Sequence, residues 1–106
     1  MNKFERKVLP LLVERDNKYQ EFFFKNKLLG VLCMTVSAGD KITFEEVCER
    51  VPRVVGSRSS VLIALREGVE LGIFNKSQSS EDKRKREYSL SEGFGEWYGD
   101  MIEEVS

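Results

Sequence analysis

The chain has 106 residues, of which 41% are hydrophobic and 33% charged, and this balance predicts one globular domain over residues 1–106 rather than a disordered chain. No segment approaches the roughly 20 apolar residues of a membrane helix, and the first ten residues lack the apolar centre of a signal peptide. Because its two cysteines also suit a reducing compartment, we expect a cytoplasmic protein with no membrane partner.

The first 37 residues are dominated by apolar side chains at helical spacing. Four of them predict a helix over residues 3–15, which should kink or begin near Pro10: Phe4, Val8, Leu11 and Leu12. Residues 19–37 predict a second helical stretch. Because this stretch is apolar on more than one face, we expect much of it to be buried. A turn at residues 38–40 follows.

Residues 43–72 predict two helices joined by a turn. Thr43 and Glu46 have the spacing of a capping box, which should open a short helix that runs to about Arg50. Pro52 prevents this helix from continuing far, so residues 51–56 form the turn. Ser57 is the predicted N-cap of the second helix, which should end near Gly72.

A hairpin and a last helix complete the chain. Residues 73–77 and 85–90 predict its two strands, with residues 78–84 at the tip. The end of the tip and the start of the returning strand carry four consecutive basic residues, Lys83, Arg84, Lys85 and Arg86. The last helix should start near Ser89 or Ser91 and run to residue 105. Its apolar side chains fall on one face: Phe94, Trp97, Tyr98, Met101, Ile102 and Val105.

The net charge of −1 hides an uneven distribution along the sequence. Residues 50–90 hold nine basic and five acidic side chains, whereas residues 91–106 hold five acidic and no basic ones. A basic middle beside an acidic tail is what a polyanion-binding face on a nearly neutral protein would produce. By itself such a run is more often a solvated loop, and its place at the tip of a hairpin is what favours binding.

The residues needed for catalysis or metal binding are scarce. The chain has no histidine, which removes the commonest general base and the commonest zinc ligand. Cys33 and Cys48 are not in a Cys-x-x-Cys arrangement, so we expect them to pack in the core, with redox sensing as the minority interpretation. The glycines form no phosphate-binding loop. The sequence therefore predicts neither an enzyme nor a cofactor.

The order of helix, hairpin and basic tip is typical of a winged helix-turn-helix, a mainly α fold with a small β-hairpin wing. Residues 57–94 resemble the MarR family of transcriptional regulators. The wing of that family runs Asp-x-Arg, five residues, then Leu-Thr-Glu; here Asp82, Arg84, Leu90, Ser91 and Glu92 stand at those spacings. The preceding helix fits the family frame through Ser57, Val61, Leu65, Gly72 and Ile73.

The resemblance implies a domain with N-terminal helices over 1–37, a helix-turn-helix over 43–72, a wing over 73–90 and a C-terminal helix over 91–105. It also implies contacts with double-stranded DNA. Phosphates would be bound by the wing and base edges by the early part of the second helix. The candidate DNA-binding residues are Arg53, Ser57, Arg58, Ser59, Ser60, Leu62, Ile63, Lys83, Arg84, Lys85 and Arg86. In the family, an aspartate acts with the wing arginine, so we expect Asp82 to brace Arg84.

Two residues depart from the family pattern on the predicted reading helix. Where the family usually carries polar or basic residues, this chain has Leu62 and Ile63. These side chains can contact thymine methyls but cannot hydrogen-bond to guanine or adenine. Alternatively, a longer turn shifts the register and both pack against it. Gly68 also stands where the family has a core leucine, at an expected cost of about 1 kcal/mol in helix propensity.

The terminal helices carry more apolar surface than a small DNA-binding body needs, which predicts a partner. In the family, these helices form a two-fold dimer. The candidate interface residues are Phe4, Val8, Phe22, Phe23, Phe94, Trp97, Tyr98, Met101 and Ile102. The sequence therefore predicts a homodimeric regulator that acts by promoter occupancy. The alternatives are a winged helix used for protein–protein contact and a replication or recombination accessory that binds DNA architecturally. A small-molecule effector is allowed by the resemblance, and no residue identifies one.

Overall fold

The structure, a computed structural model, describes residues 2–6 and 18–105. Residues 3–6 are helical. The elements that follow are α1 (Lys18–Lys25), α2 (Lys27–Ser37), β1 (Ile42–Thr43), α3 (Phe44–Arg50), α4 (Arg58–Glu70), β2 (Phe74–Gln78), β3 (Arg86–Leu90) and α5 (Glu92–Val105). The mainly helical winged-helix architecture predicted from the sequence is confirmed. Most of the helix predicted over 3–15, including Val8, Pro10, Leu11 and Leu12, lies outside the described residues.

The single helical stretch predicted over residues 19–37 is wrong in one respect, because the structure divides it into α1 and α2. Asn26 separates them with an extended backbone (φ −157°, ψ 171°). Its side-chain oxygen accepts a hydrogen bond from the Leu29 backbone N–H at 2.9 Å, which caps α2. Because the Asn26 side chain caps α2, α1 ends just before it, although the apolar side chains on both sides keep a helical spacing.

The helix-turn-helix has the predicted signals at its ends. The Thr43 hydroxyl accepts from the Glu46 N–H at 3.2 Å, and the Glu46 carboxylate accepts from the Thr43 N–H at 3.3 Å. This capping box starts α3. At the end of α4, Gly72 has a φ of +75°, and the Ile73 N–H donates to the Gly68 carbonyl. Such a Schellman termination needs a residue that tolerates positive φ.

The wing consists of β2, β3 and the tip between them, residues 79–85. Its register pairs Phe74 with Leu90, Lys76 with Tyr88 and Gln78 with Arg86. A third strand, β1, was not predicted. It pairs antiparallel with β3, placing Ile42 opposite Tyr88, so the sheet order is β1-β3-β2. This strand ties the start of the helix-turn-helix to the wing.

The core lies between α2, α4 and the sheet, with α1 and α5 closing one side. Gly68 gives the core its close helix–wing approach, because a Cβ there would overlap the ring of Phe74 and lie 3.3 Å from Phe22 Cζ. The glycine predicted as a defect thus makes room for two aromatic rings that meet edge to face. The buried apolar residues are Phe22, Leu29, Leu32, Cys33, Val36, Ile42, Val47, Val51, Val61, Ala64, Leu65, Ile73, Phe74, Tyr88 and Phe94.

None of the helices in the described part of the chain combines the length and apolarity that crossing a bilayer requires.

Candidate nucleic-acid interface

The second helix of the helix-turn-helix, α4, has two opposite faces. Its inner residues, Val61, Ala64, Leu65 and Gly68, are buried against the body. At 3.6 residues per turn, the positions opposite this stripe are Ser59, Ile63 and Arg66, and all three are exposed. A row of exposed side chains over about two turns of one helix is what entry into the major groove requires.

Leu62 and Ile63 differ in their exposure. The Ile63 side chain is 64% exposed, and Leu62 is half-buried where it lines a groove of about 280 Å³ between α4 and the wing. The wing side of this groove includes Lys76, Arg84 and Arg86. The interpretation in which a register shift buries both residues is therefore wrong. One residue faces solvent, and the other faces the basic wing.

Arg58 is already bound within the protein. Its guanidinium donates to both carboxylate oxygens of Glu45 on α3, and one of these hydrogen bonds, from Nη1 to Oε2, measures 2.9 Å. The same guanidinium lies 4.7 Å from the centre of the Phe44 ring. The hydrogen bonds from Arg58 hold the pKa of Glu45 below its ordinary value and raise that of Arg58. Arg58 must leave this carboxylate, or share it, before it binds a phosphate.

The serines at the start of α4 divide between capping and exposure. The Ser57 hydroxyl accepts from the Ser60 N–H at 3.2 Å and lies 3.0 Å from the Ser60 hydroxyl. Ser57 and Ser60 therefore hold the helix N-terminus, while Ser59 points to solvent. Arg53 is exposed in the turn, beside Val54, whose exposed fraction of 96% was not anticipated.

The wing tip is held in shape by its own hydrogen bonds. The Ser79 hydroxyl, which is buried, accepts from the backbone N–H groups of Glu81 and Asp82 at 3.2 and 3.4 Å. The Asp82 carboxylate accepts from the Arg84 backbone N–H at 3.0 Å. Asp82 thus braces the main chain of Arg84 and leaves its guanidinium exposed. At the base of the tip, the Arg86 guanidinium donates to the Lys83 carbonyl at 3.0 Å.

The cations of the wing face solvent. Lys83, Arg84, Lys85 and Arg86 are all exposed. Within the described ranges, ion pairs join Lys25 to Glu67, Arg50 to Glu46 and Arg58 to Glu45, and none of these three engages the wing. The positive charge of the tip is therefore available to an external polyanion.

Two further basic residues belong to this surface and were missed in the sequence. Lys76 on β2 lines the groove beside Leu62. Arg66 lies one turn beyond Ile63, and its charge, with that of Arg86, acts to lower the pKa of Tyr88, although burial of that phenol dominates and raises it. The spacing of seven residues from Ser59 would have identified Arg66, because such residues share a helix face.

An acidic flank limits the basic surface on the α3 side of the wing. The hollow there is lined by Glu45, Glu46, Glu49, Glu81 and Glu87, among other residues. In the described part of the chain, no group of three or more carboxylates, cysteines or histidines could hold a metal ion. Lys41 and Lys85 also line this hollow, so the carboxylates there lie beside two cations.

The predicted dimer-interface residues divide into core and surface. Phe22 and Phe94 are buried within the protomer, with exposed fractions of 2% and 0%, so in this structure they belong to the core and present no surface to a partner. Their rings fill the core that α1 and α5 cover. Val8 lies outside the described residues. Phe23, Trp97, Tyr98 and Met101 are half-buried, whereas Phe4 and Ile102 are exposed at 45% and 40%.

Comparison with known proteins shows that the fold of this chain is similar to that of several solved structures. No family model matches the sequence, and no curated protein does. The transcriptional regulator SlyA superposes with a TM-score of 0.62 at 15% identity, over 94% of this chain and 66% of that chain. The transcriptional regulator PA4135 gives 0.63 at 15% identity, over 92% and 74% of the two chains. Streptococcus pneumoniae FabT, in complex with DNA, gives 0.58 at 13% identity, over 92% and 69%.

These likenesses extend over nearly all of this chain, while the chain spans slightly less than two thirds of SlyA. At such low identity they establish architecture alone. The order of elements and the wing agree with the resemblance stated from residues 57–94. The chain therefore shares the winged-helix fold of these solved transcriptional regulators.

Proposed function

We propose that the protein is a double-stranded DNA-binding transcriptional regulator that acts in the cytoplasm, by promoter occupancy and without catalysis of its own. The observation that carries the proposal is the joint exposure of the outer stripe of α4 and the four consecutive cations of the wing. A helix that can enter the major groove beside a basic hairpin that can follow the backbone is a complete DNA-binding surface. The DNA complex of FabT, which has the same fold, supports this choice of polyanion.

A titration of labelled duplex at several salt concentrations tests the proposal. The protein should bind a mixed-sequence duplex with micromolar or tighter affinity, and log K should fall linearly with log salt. Arg84→Ala should weaken binding on all sequences and reduce the salt slope by about 0.9, the value for one phosphate. The matched control is Lys18→Ala, because the Lys18 ammonium lies near Gly72 at the far end of α4.

If Arg84→Ala and Lys18→Ala weaken DNA binding equally, only the net charge of the protein matters for binding. The proposal that the wing contacts DNA phosphates would then be wrong. Absence of salt-dependent binding would overturn the function itself. Both variants should keep the wild-type circular dichroism spectrum, because Lys18 and Arg84 are exposed.

We further propose that the regulator is a homodimer. A two-fold dimer would place two copies of α4 about one turn of DNA apart, which doubles the contact. Support comes from the exposed apolar side chains of the terminal elements, Phe4, Phe24, Ile102 and Val105. Ile102→Glu should yield a folded monomer by light scattering. A dimer that survives this change would exclude the exposed face of α5 from the interface.

A protein–protein interaction module is the second candidate, and specific observations favour it. Ile63 on the reading face is 64% exposed, and Val54 in the turn is 96% exposed. Apolar residues at these positions would also suit a protein surface. Such a module would bind duplex weakly and without steep salt dependence, so the same titration separates the two candidates.

A further inference from the structure

We infer that Ile63 reads thymine through its 5-methyl group, so that sequence selectivity depends on methyl contact more than on hydrogen bonding at this position. The inference rests on the proposed function and deepens it. Contact with Ile63 would decide which DNA sequence is preferred. Whether DNA is bound at all would depend on the phosphate contacts of the wing.

The position of Ile63 on α4 determines what it can touch. It lies opposite the buried stripe of Val61, Leu65 and Gly68, and it is more exposed than a residue that serves the core. Ser59 precedes it by one turn, and Arg66 follows it by about one turn. A rise of about 1.5 Å per residue puts roughly 10 Å between Ser59 and Arg66, which matches about three base pairs. Ile63 falls near the middle of this interval.

The chemistry of the side chain selects one base. An isoleucine has no donor or acceptor for the major-groove edges of guanine, adenine or cytosine. Thymine alone among the four standard bases presents an apolar group there, the C5 methyl. Removing that methyl and the exposed face of Ile63 from water together is favourable, whereas placing Ile63 against the N7 of a purine leaves an acceptor unsatisfied.

The surroundings of Ile63 favour DNA as its occupant over an apolar protein surface. Its neighbours on the same stripe are a hydroxyl and a guanidinium, and the adjoining groove carries Lys76, Arg84 and Arg86. On its own stripe of α4, Ile63 lies between these two polar side chains, and an apolar side chain so placed fits an isolated methyl group. An apolar protein partner would instead have to desolvate these cations without pairing them.

Replacement of thymine by uracil tests the inference, because it removes only the methyl and keeps every hydrogen-bonding group of the base. A duplex recovered from a random pool by selection on the full chain is made with thymine and again with deoxyuridine. We expect the uracil duplex to bind about fourfold more weakly for each methyl contacted. The salt slope should be the same for both duplexes, since no phosphate contact changes.

Ile63→Ala completes a double-mutant cycle. It should lower affinity for the thymine duplex and abolish the difference between thymine and uracil, whereas Arg84→Ala should weaken both duplexes equally and keep the difference. Equal binding of the two duplexes by the wild type, or a random pool that yields no enriched sequence, would overturn the inference while salt-dependent binding still supported the proposed function. Failure of every duplex to bind would overturn both.

Discussion

Glu45 should restrain DNA binding by holding Arg58. The carboxylate lies on α3 and accepts two hydrogen bonds from the guanidinium in the first turn of α4. Because these bonds keep the pKa of Glu45 below its ordinary value of 4.5, the carboxylate remains charged throughout the neutral range. A phosphate that approaches Arg58 therefore meets a competing anion already in place, and changes of pH between 6 and 8 should not release it.

Glu45→Gln removes this anion while keeping the shape of the side chain. If the freed Arg58 gains one phosphate, log K against log salt should become steeper by about 0.9, and affinity at 0.1 M salt should rise about eightfold. Both partners of the pair are more than half exposed, at 59% and 60%. Its loss should consequently leave the melting temperature nearly unchanged, because exposed ion pairs contribute little to stability.

Anisotropy titrations of labelled duplex at four or five salt concentrations measure both quantities. Glu49→Gln is the matched control, because it removes the same charge from the exposed surface of α3, and no ion pair of Glu49 is found among the described residues. We expect the increase in DNA affinity and in salt slope caused by Glu49→Gln to be much smaller than that caused by Glu45→Gln. In an Arg58→Gln background the gain should vanish. Weaker binding by Glu45→Gln would refute the restraint and show that Glu45 positions Arg58 for contact.

Two further predictions concern the core. Gly68→Ala should lower the free energy of unfolding by up to about 2 kcal/mol in urea titrations, because crowding of the buried Phe74 ring costs about 1–3 kcal/mol and the gain in helix propensity is about 1 kcal/mol. Increased stability would show that the ring can move aside. Burial raises the pKa of the Cys33 thiol to about 12, so at pH 8 it should be alkylated only as fast as the protein unfolds, whereas half-buried Cys48 should be alkylated sooner. The neutral Cys33 thiol should stabilise the fold fully below pH 9.0 and progressively less as pH rises toward 12, because the unfolded-state thiol ionises first. Labelling of Cys33 in the native protein at a rate that follows thiolate concentration would contradict this assignment.

The elements that could be predicted from the sequence are those specified by neighbouring residues. Thr43 with Glu46, and Gly72 at the end of α4, act within a few residues of themselves, and their caps form as expected. The features that local sequence patterns did not predict depend on residues far apart in the sequence. The two residues of β1 have too little length for any periodicity, and their strand exists because Ile42 pairs with Tyr88. The break at Asn26 was missed because the apolar pattern continues on both sides of it.

The same distinction applies to the interface. The exposure of the wing cations and of Ser59 could be predicted, because it follows from their positions in a hairpin tip and in the first turn of a helix. The pairing of Arg58 with Glu45 spans 13 residues and depends on how α3 packs against α4, so no local pattern contains it. Gly68 was judged from helix propensity, although its role comes from an aromatic ring on β2. Packing of distant elements decided both outcomes, and sequence periodicity carries no information about it.

The buried face of α4 carries the fold, and the proposed recognition surface lies on the opposite face, which explains why the architecture is recognisable at 13–15% identity. The inner stripe is constrained by volume, since Leu65 and Val61 fill a closed core. The outer stripe has no such constraint, so its residues can change without cost to the fold. Because Ile63 buries little surface in the protomer, Ile63→Ala should alter stability by less than about 0.5 kcal/mol. A large change in DNA selectivity with so small a change in stability would identify the outer stripe as a recognition surface.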